Sequence, residues 1–63
     1  MYTFEVFVRG YPYPLTLNLE FRDDKEAQII ATTMMDMLLS IDVIHVYKNN
    51  QVKSNLVNII RGE

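Results

Sequence analysis

Leu15-Thr16-Leu17-Asn18-Leu19-Glu20-Phe21 alternates apolar and polar residues without a break. Side chains alternate across a strand and recur every 3.6 residues in a helix, so this period of two marks a strand with one wet face. Leu15, Leu17, Leu19 and Phe21 share the dry face, and Thr16, Asn18 and Glu20 the wet one. Working back toward the start, Tyr2–Arg9 shows the same alternation, with Tyr2, Phe4, Val6 and Val8 as the apolar set. Phe7 interrupts its polar side. Between the two lies Gly10-Tyr11-Pro12-Tyr13-Pro14, whose prolines block regular ladder bonding and whose glycine permits positive φ. The pair is expected to form a hairpin with Val8 opposite Leu15 and Phe4 opposite Leu19, all on one face.

Moving outward past Phe21, the period changes. Asp23 is placed to cap a helix, and Glu26, three residues on, completes a capping box. Ala27, Ile30, Ala31, Met34, Met37 and Leu38 then fall within about 120° of arc at 3.6 residues per turn, giving one buried stripe. Met35 and Leu39 flank that stripe and Ile29 lies well outside it. Core filling accounts for Met34 and Met37, since methionine packs adaptably.

Ile41–Lys48 is rich in β-branched residues, and Asn49-Asn50 suits a two-residue turn. Pairing across it sets Tyr47 against Val52, His45 against Ser54 and Val43 against Leu56, with Ile44 and Val46 on the opposite face. The hairpin is thus apolar on both sides. The last segment reads as a strand over Val52–Ile60, although Ser54, the Leu56/Ile59/Ile60 spacing and Gly62 also fit a short helix. The expected fold is α+β in the order ββαββ: a four-stranded antiparallel sheet with one helix packed on one face, forming a single domain over residues 1–63.

At 63 residues the chain buries only about 60% of the surface its unfolded form exposes, so a lone monomer is marginal. Cysteine is absent and there is one histidine, which removes disulfides and cysteine-ligated metals. No metal site or cofactor is expected. Self-association is the remaining compensation. Ile29, Met35, Leu39, Ile44 and Val46 are its candidate contacts, in a homodimer or larger oligomer. Six basic residues, scattered among eight acidic ones, give a net charge of −2. Without a basic stripe, extended nucleic acid is a poor partner. The apolar runs fall far short of the ~20 residues a membrane span needs. Met1 leads directly into a strand pattern rather than a signal peptide, so the cytoplasm is the expected compartment.

Catalytic signatures are weak. His45 sits in a strand pattern with no nucleophile motif nearby, and Asp23-Asp24 is explained as a helix cap. Glu5 and Glu20 belong to a wet sheet face with nothing apolar to raise a pKa. The chain reads as non-enzymatic. Its most functional segment is Arg9-Gly10-Tyr11-Pro12-Tyr13-Pro14, which holds two tyrosines beside a guanidinium on a stiffened loop. Tyrosine and arginine are frequent binding anchors. With Phe7, the residues Arg9, Tyr11 and Tyr13 form the candidate contact set for a partner protein. Aromatic and Arg groups also suit a small nucleotide ligand, with Arg9 or Arg61 on phosphate.

In size and layout the chain resembles the short accessory proteins of tailed phages. That resemblance implies an inhibitor or regulator of a host protein, or a protein that sequesters a small nucleotide signal.

Overall fold

Both period-two segments become strands, and the 3.6-period segment becomes the one helix. The computed structural model describes residues 1–49 and 54–62. Its elements are β1 (Tyr2–Val8), β2 (Leu15–Leu19), α1 (Asp24–Met37), β3 (Ile41–Asn49) and β4 (Ser54–Arg61). The strands form one antiparallel sheet in the order β2-β1-β3-β4, which is the expected ββαββ α+β architecture. The last segment is strand, not helix. No helix among the described residues is long and apolar enough to cross a membrane.

The central strands make the core because each has a neighbour on both sides. Tyr2, Phe4 and Val6 of β1 and Ile41, Ile44 and Val46 of β3 are buried, together with Ala27 and Ala31 of α1. Ile44 and Val46 therefore lie beneath the helix and present no surface to a second subunit, which corrects their expected contact role. The two alanines let α1 approach β3 and β4 closely. Gln28 accepts a hydrogen bond from Asn58 of β4, and Met35 packs against the core, so this flank of the helix faces β4. The buried stripe is turned accordingly. Ile30, Met37 and Leu38, expected inside, are exposed, while Met35, expected at the periphery, is half-buried. Leu38 has also left the helix: it is the C-cap, with extended backbone.

Both hairpin registers differ from expectation. In the first, Tyr2 opposes Leu19, Phe4 opposes Leu17 and Val6 opposes Leu15, a shift of two residues. Such a shift keeps every side chain on its face, so apolar patterning cannot reject it; the loop decides. The Tyr11 amide donates to the Val8 carbonyl across a turn with Gly10 at φ 81°, a conformation that favours glycine. The Arg9 amide donates to Ser40 instead of to β2. In the second hairpin Asn49 pairs with Ser54, Tyr47 with Leu56, His45 with Ile59 and Val43 with Arg61. The expected pairs of Tyr47 with Val52, His45 with Ser54 and Val43 with Leu56 are all overturned. Asn49 ends β3 and pairs with Ser54, which overturns the two-residue turn at Asn49-Asn50 as well.

The Asp23 cap forms as expected, with its Oδ1 accepting from the Glu26 amide at 2.9 Å. The return half of the box is displaced by one residue: Glu26 accepts from the Arg22 amide and guanidinium rather than from the Asp23 amide. Next to it, the Tyr2 hydroxyl donates to Asp24 Oδ1 at 2.6 Å, and Lys48 Nζ stands 3.6 Å from the same oxygen. This contact ties β1 to the helix N-terminus and shifts both groups. The hydrogen bond to Asp24 holds the Tyr2 hydroxyl up at about 12, and the same bond lowers the Asp24 carboxyl. A raised folded pKa gives stability that is complete below the unfolded value and is lost as pH climbs through the folded one. For Tyr2 that loss runs from about pH 10 to about pH 12. A lowered carboxyl gives stability present above its unfolded pKa and lost as acid protonates it. Tyr2→Phe should flatten the melting temperature on the alkaline side and weaken its dependence on the acid side. Parallel Tm–pH curves for both chains would reject the coupling.

Candidate functional site

With one helix on one face, the other face of the sheet has no element over it among the described residues. Its side chains follow from register. β1 gives Thr3, Glu5 and Phe7; β2 gives Thr16 and Asn18; β3 gives Val43, His45 and Tyr47; β4 gives Leu56, Ile59 and Arg61. The β2 half is polar and the β3–β4 half is mostly apolar. Three rings line up along the central strands. Phe7 lies 4.8 Å from His45 between ring centres, and His45 lies 6.3 Å from Tyr47. Glu5 sits among them, its Oε1 3.8 Å from His45 Nδ1. Hydrogen bonding to Glu5, helped by partial burial, raises the Tyr47 hydroxyl above its usual range. The result is an aromatic surface with one carboxylate among its rings.

The four residues expected in one contact set are divided by the fold. Phe7 joins the aromatic row, where its place on the nominally wet side of β1 is explained by stacking on His45. Arg9 is tied to Asp42, with Nε 3.3 Å from Oδ1. Tyr11 and Tyr13 stand out from the β1–β2 loop at 63% and 76% exposure, values that leave most of each residue available for contact. Of the expected self-contact residues, Ile29 and Leu39 are exposed and Met35 is half-buried.

Sequence reasoning missed His45 and Tyr47 as surface partners of Phe7. It treated His45 as an ordinary strand histidine. The β1–β3 pairing that joins them spans about forty residues, and no local pattern announces it. Glu5 and Glu20 stay apart, as the expected register also had them. Glu5 opposes Thr16 and His45, and Glu20 lies beyond the end of β2.

A cavity of about 400 Å³ opens where the C-terminal end of α1 meets the ends of β3 and β4. It is lined by Arg9, Met35, Asp36, Asp42, Ile60 and Arg61, among others. Arg9 and Asp42 pair there at 3.3 Å, and Asp36 and Arg61 border the same space, so its charge is mixed. Among the described residues, no three His, Asp or Glu side chains gather as a metal ion would need. Comparison of the chain with family models, curated proteins and solved structures finds no match.

Proposed function

We propose that this chain is a small non-enzymatic binding protein that self-associates and docks a partner protein, in the manner of an inhibitor or regulator. The observation that carries this reading is the amount of aromatic and aliphatic surface left open on a rigid frame. Phe7, His45 and Tyr47 line the uncovered sheet face, and Tyr11 and Tyr13 project from a loop stiffened by two prolines. Rigid aromatics bring large contact area at low entropic cost, and they are the usual anchors of protein interfaces. His45 serves this surface as a ring packed between Phe7 and Tyr47 rather than as a base beside a nucleophile.

The test is capture of a partner from the source cell on the immobilised chain, repeated with Tyr11→Ala/Tyr13→Ala. A partner retained by the parent and lost by the folded variant supports the proposal; one retained equally by both rejects the loop as the anchor.

The cavity that brings Arg9 and Arg61 together favours a second reading, sequestration of a small nucleotide. Asp36 and Asp42 in the same lining oppose phosphate, which places this reading second. Thermal-shift screening decides between them. A nucleotide at 100 times its Kd stabilises the fold by about 2.7 kcal/mol, or a shift of roughly 10–20 °C. No shift with cyclic or linear nucleotides is expected.

A further inference from the structure

The register between β3 and β4 slips at one point: Val46 opposes Asn58 but Tyr47 opposes Leu56, leaving Val57 as an extra residue in β4. Side chains on either side of a bulge break the simple alternation. Val57 packs against the core and Asn58 bonds Gln28 of α1, so both neighbours point to the helix side. Asn55 and Ile60, opposite Lys48 and Ile44, share that side. Ser54, Leu56, Ile59 and Arg61, opposite Asn49, Tyr47, His45 and Val43, take the open side. Read from Ser54 to Arg61, the order is open, helix, open, helix, helix, open, helix, open. It is the same read backwards.

We infer that β4 pairs antiparallel with β4 of a second copy, on a two-fold axis between Val57 and Asn58, making one eight-stranded sheet. In this register Leu56 meets Ile59 of the other copy, Asn55 meets Ile60 and Ser54 meets Arg61. Every pair then lies on a matching face. Sliding the strands by one step either way sets a helix-side residue against an open-side one, so the self-complementary register is unique.

Four further observations favour a second copy as the occupant of this edge. Exposed edge strands are ordinarily blunted by charge, proline or shortness. β4 is eight residues long, contains no proline, and is uncharged from Ser54 to Ile60. The opposite edge, β2, is five residues long and directly follows Pro14, as an outer edge should. Charge raises no objection either, because Arg61, the one charged residue of β4, faces a serine. The pairing also accounts for the lopsided open face. The apolar halves of both copies, with Leu56 at 52% exposure, meet at the centre, and the polar β2 halves lie outside. The aromatic surface of each protomer thereby becomes part of one continuous face that neither has alone.

This inference names the assembly surface of the self-association proposed above. The test uses the full chain in sedimentation equilibrium across 1 µM to 1 mM. The parent is expected to show a monomer–dimer equilibrium. Leu56→Lys and Ile59→Glu, each alone, should weaken dimerisation at least tenfold, because each lays a charge against an aliphatic side chain of the other copy. Combined in one chain they should recover most of it, since the introduced lysine then faces the introduced glutamate twice across the axis. Circular dichroism checks that the variants stay folded. Amide exchange across β4 should slow with rising concentration in the parent and in the double variant, and in neither single variant. A dimer indifferent to both single substitutions overturns the β4 pairing but leaves self-association standing. A parent that stays monomeric at 1 mM overturns both.

Discussion

Phe4→Ala is expected to unfold the chain at room temperature. Phe4 is fully buried at the middle of β1, with Leu17 and Val46 opposite it on its two flanking strands. Its ring stacks on Phe21 at 5.6 Å between centres, so it holds down the segment that follows β2. Truncating a buried phenylalanine costs about 3–5 kcal/mol through lost transfer energy and the cavity left behind. A domain of this length has about 3–9 kcal/mol in total. Among the described residues only Phe4, Ile44 and Val46 combine large size with complete burial, so few neighbours can collapse into the hole. Phe21→Ala is the internal comparison. Phe21 is half-buried and lies outside the ladder, so it should cost less while shifting the same aromatic signal. Urea melts followed by far-UV circular dichroism measure both. For so small a domain each kcal/mol moves Tm by about 4–8 °C, so a drop under about 12 °C for Phe4→Ala would reject this account of the core.

The same core shows which features of the fold local sequence can carry. Period-two runs and an Asp23 cap are short-range signals, and the strands, the helix and their order follow from them. Register is a weaker signal. Sliding β2 by two residues leaves Leu15, Leu17 and Leu19 on the same face, and only the bonding of Arg9 and Tyr11 in the loop tells the alternatives apart. The orientation of α1 lies beyond the apolar stripe for a related reason. Hydrophobicity alone centres the stripe between Ile30 and Ala31, whereas close approach to the sheet selects the small residues Ala27 and Ala31, with Gln28 and Asp24 bonded alongside. That rotation exposes Met37 and Ile30 and draws Met35 inward. The site is split in the same way. Tyr11 and Tyr13 are legible because a proline-rich loop has nowhere to hide two rings. The row of Phe7, His45 and Tyr47 is not, because it exists only once β1 has paired with β3.

Tyr11→Ala combined with Tyr13→Ala should abolish partner binding while leaving the fold as it was. Each ring brings about 150–250 Å² to an interface. Both are mostly exposed, so neither contributes much to the core, and surface changes of this kind usually stay within about 0.5 kcal/mol of the parent stability. Anchor tyrosines at the centre of an interface cost about 2 kcal/mol or more on truncation, a factor of roughly 30 in Kd. Two of them on one loop should together raise Kd by about 10²–10³-fold, short of full additivity because they share neighbours. Preorganisation strengthens the expectation: Pro12, Pro14 and the Gly10 turn already fix the backbone, so little ordering entropy is spent on docking. Ile29→Ser is the matched control. Ile29 is comparably exposed, at 54%, but lies on the outer side of α1, so its replacement should leave Kd within about twofold. Isothermal titration against the captured partner, with Tm checked for every variant, separates the outcomes. An unchanged Kd in the double tyrosine variant, or a loss as large from Ile29→Ser, moves the anchor away from the loop.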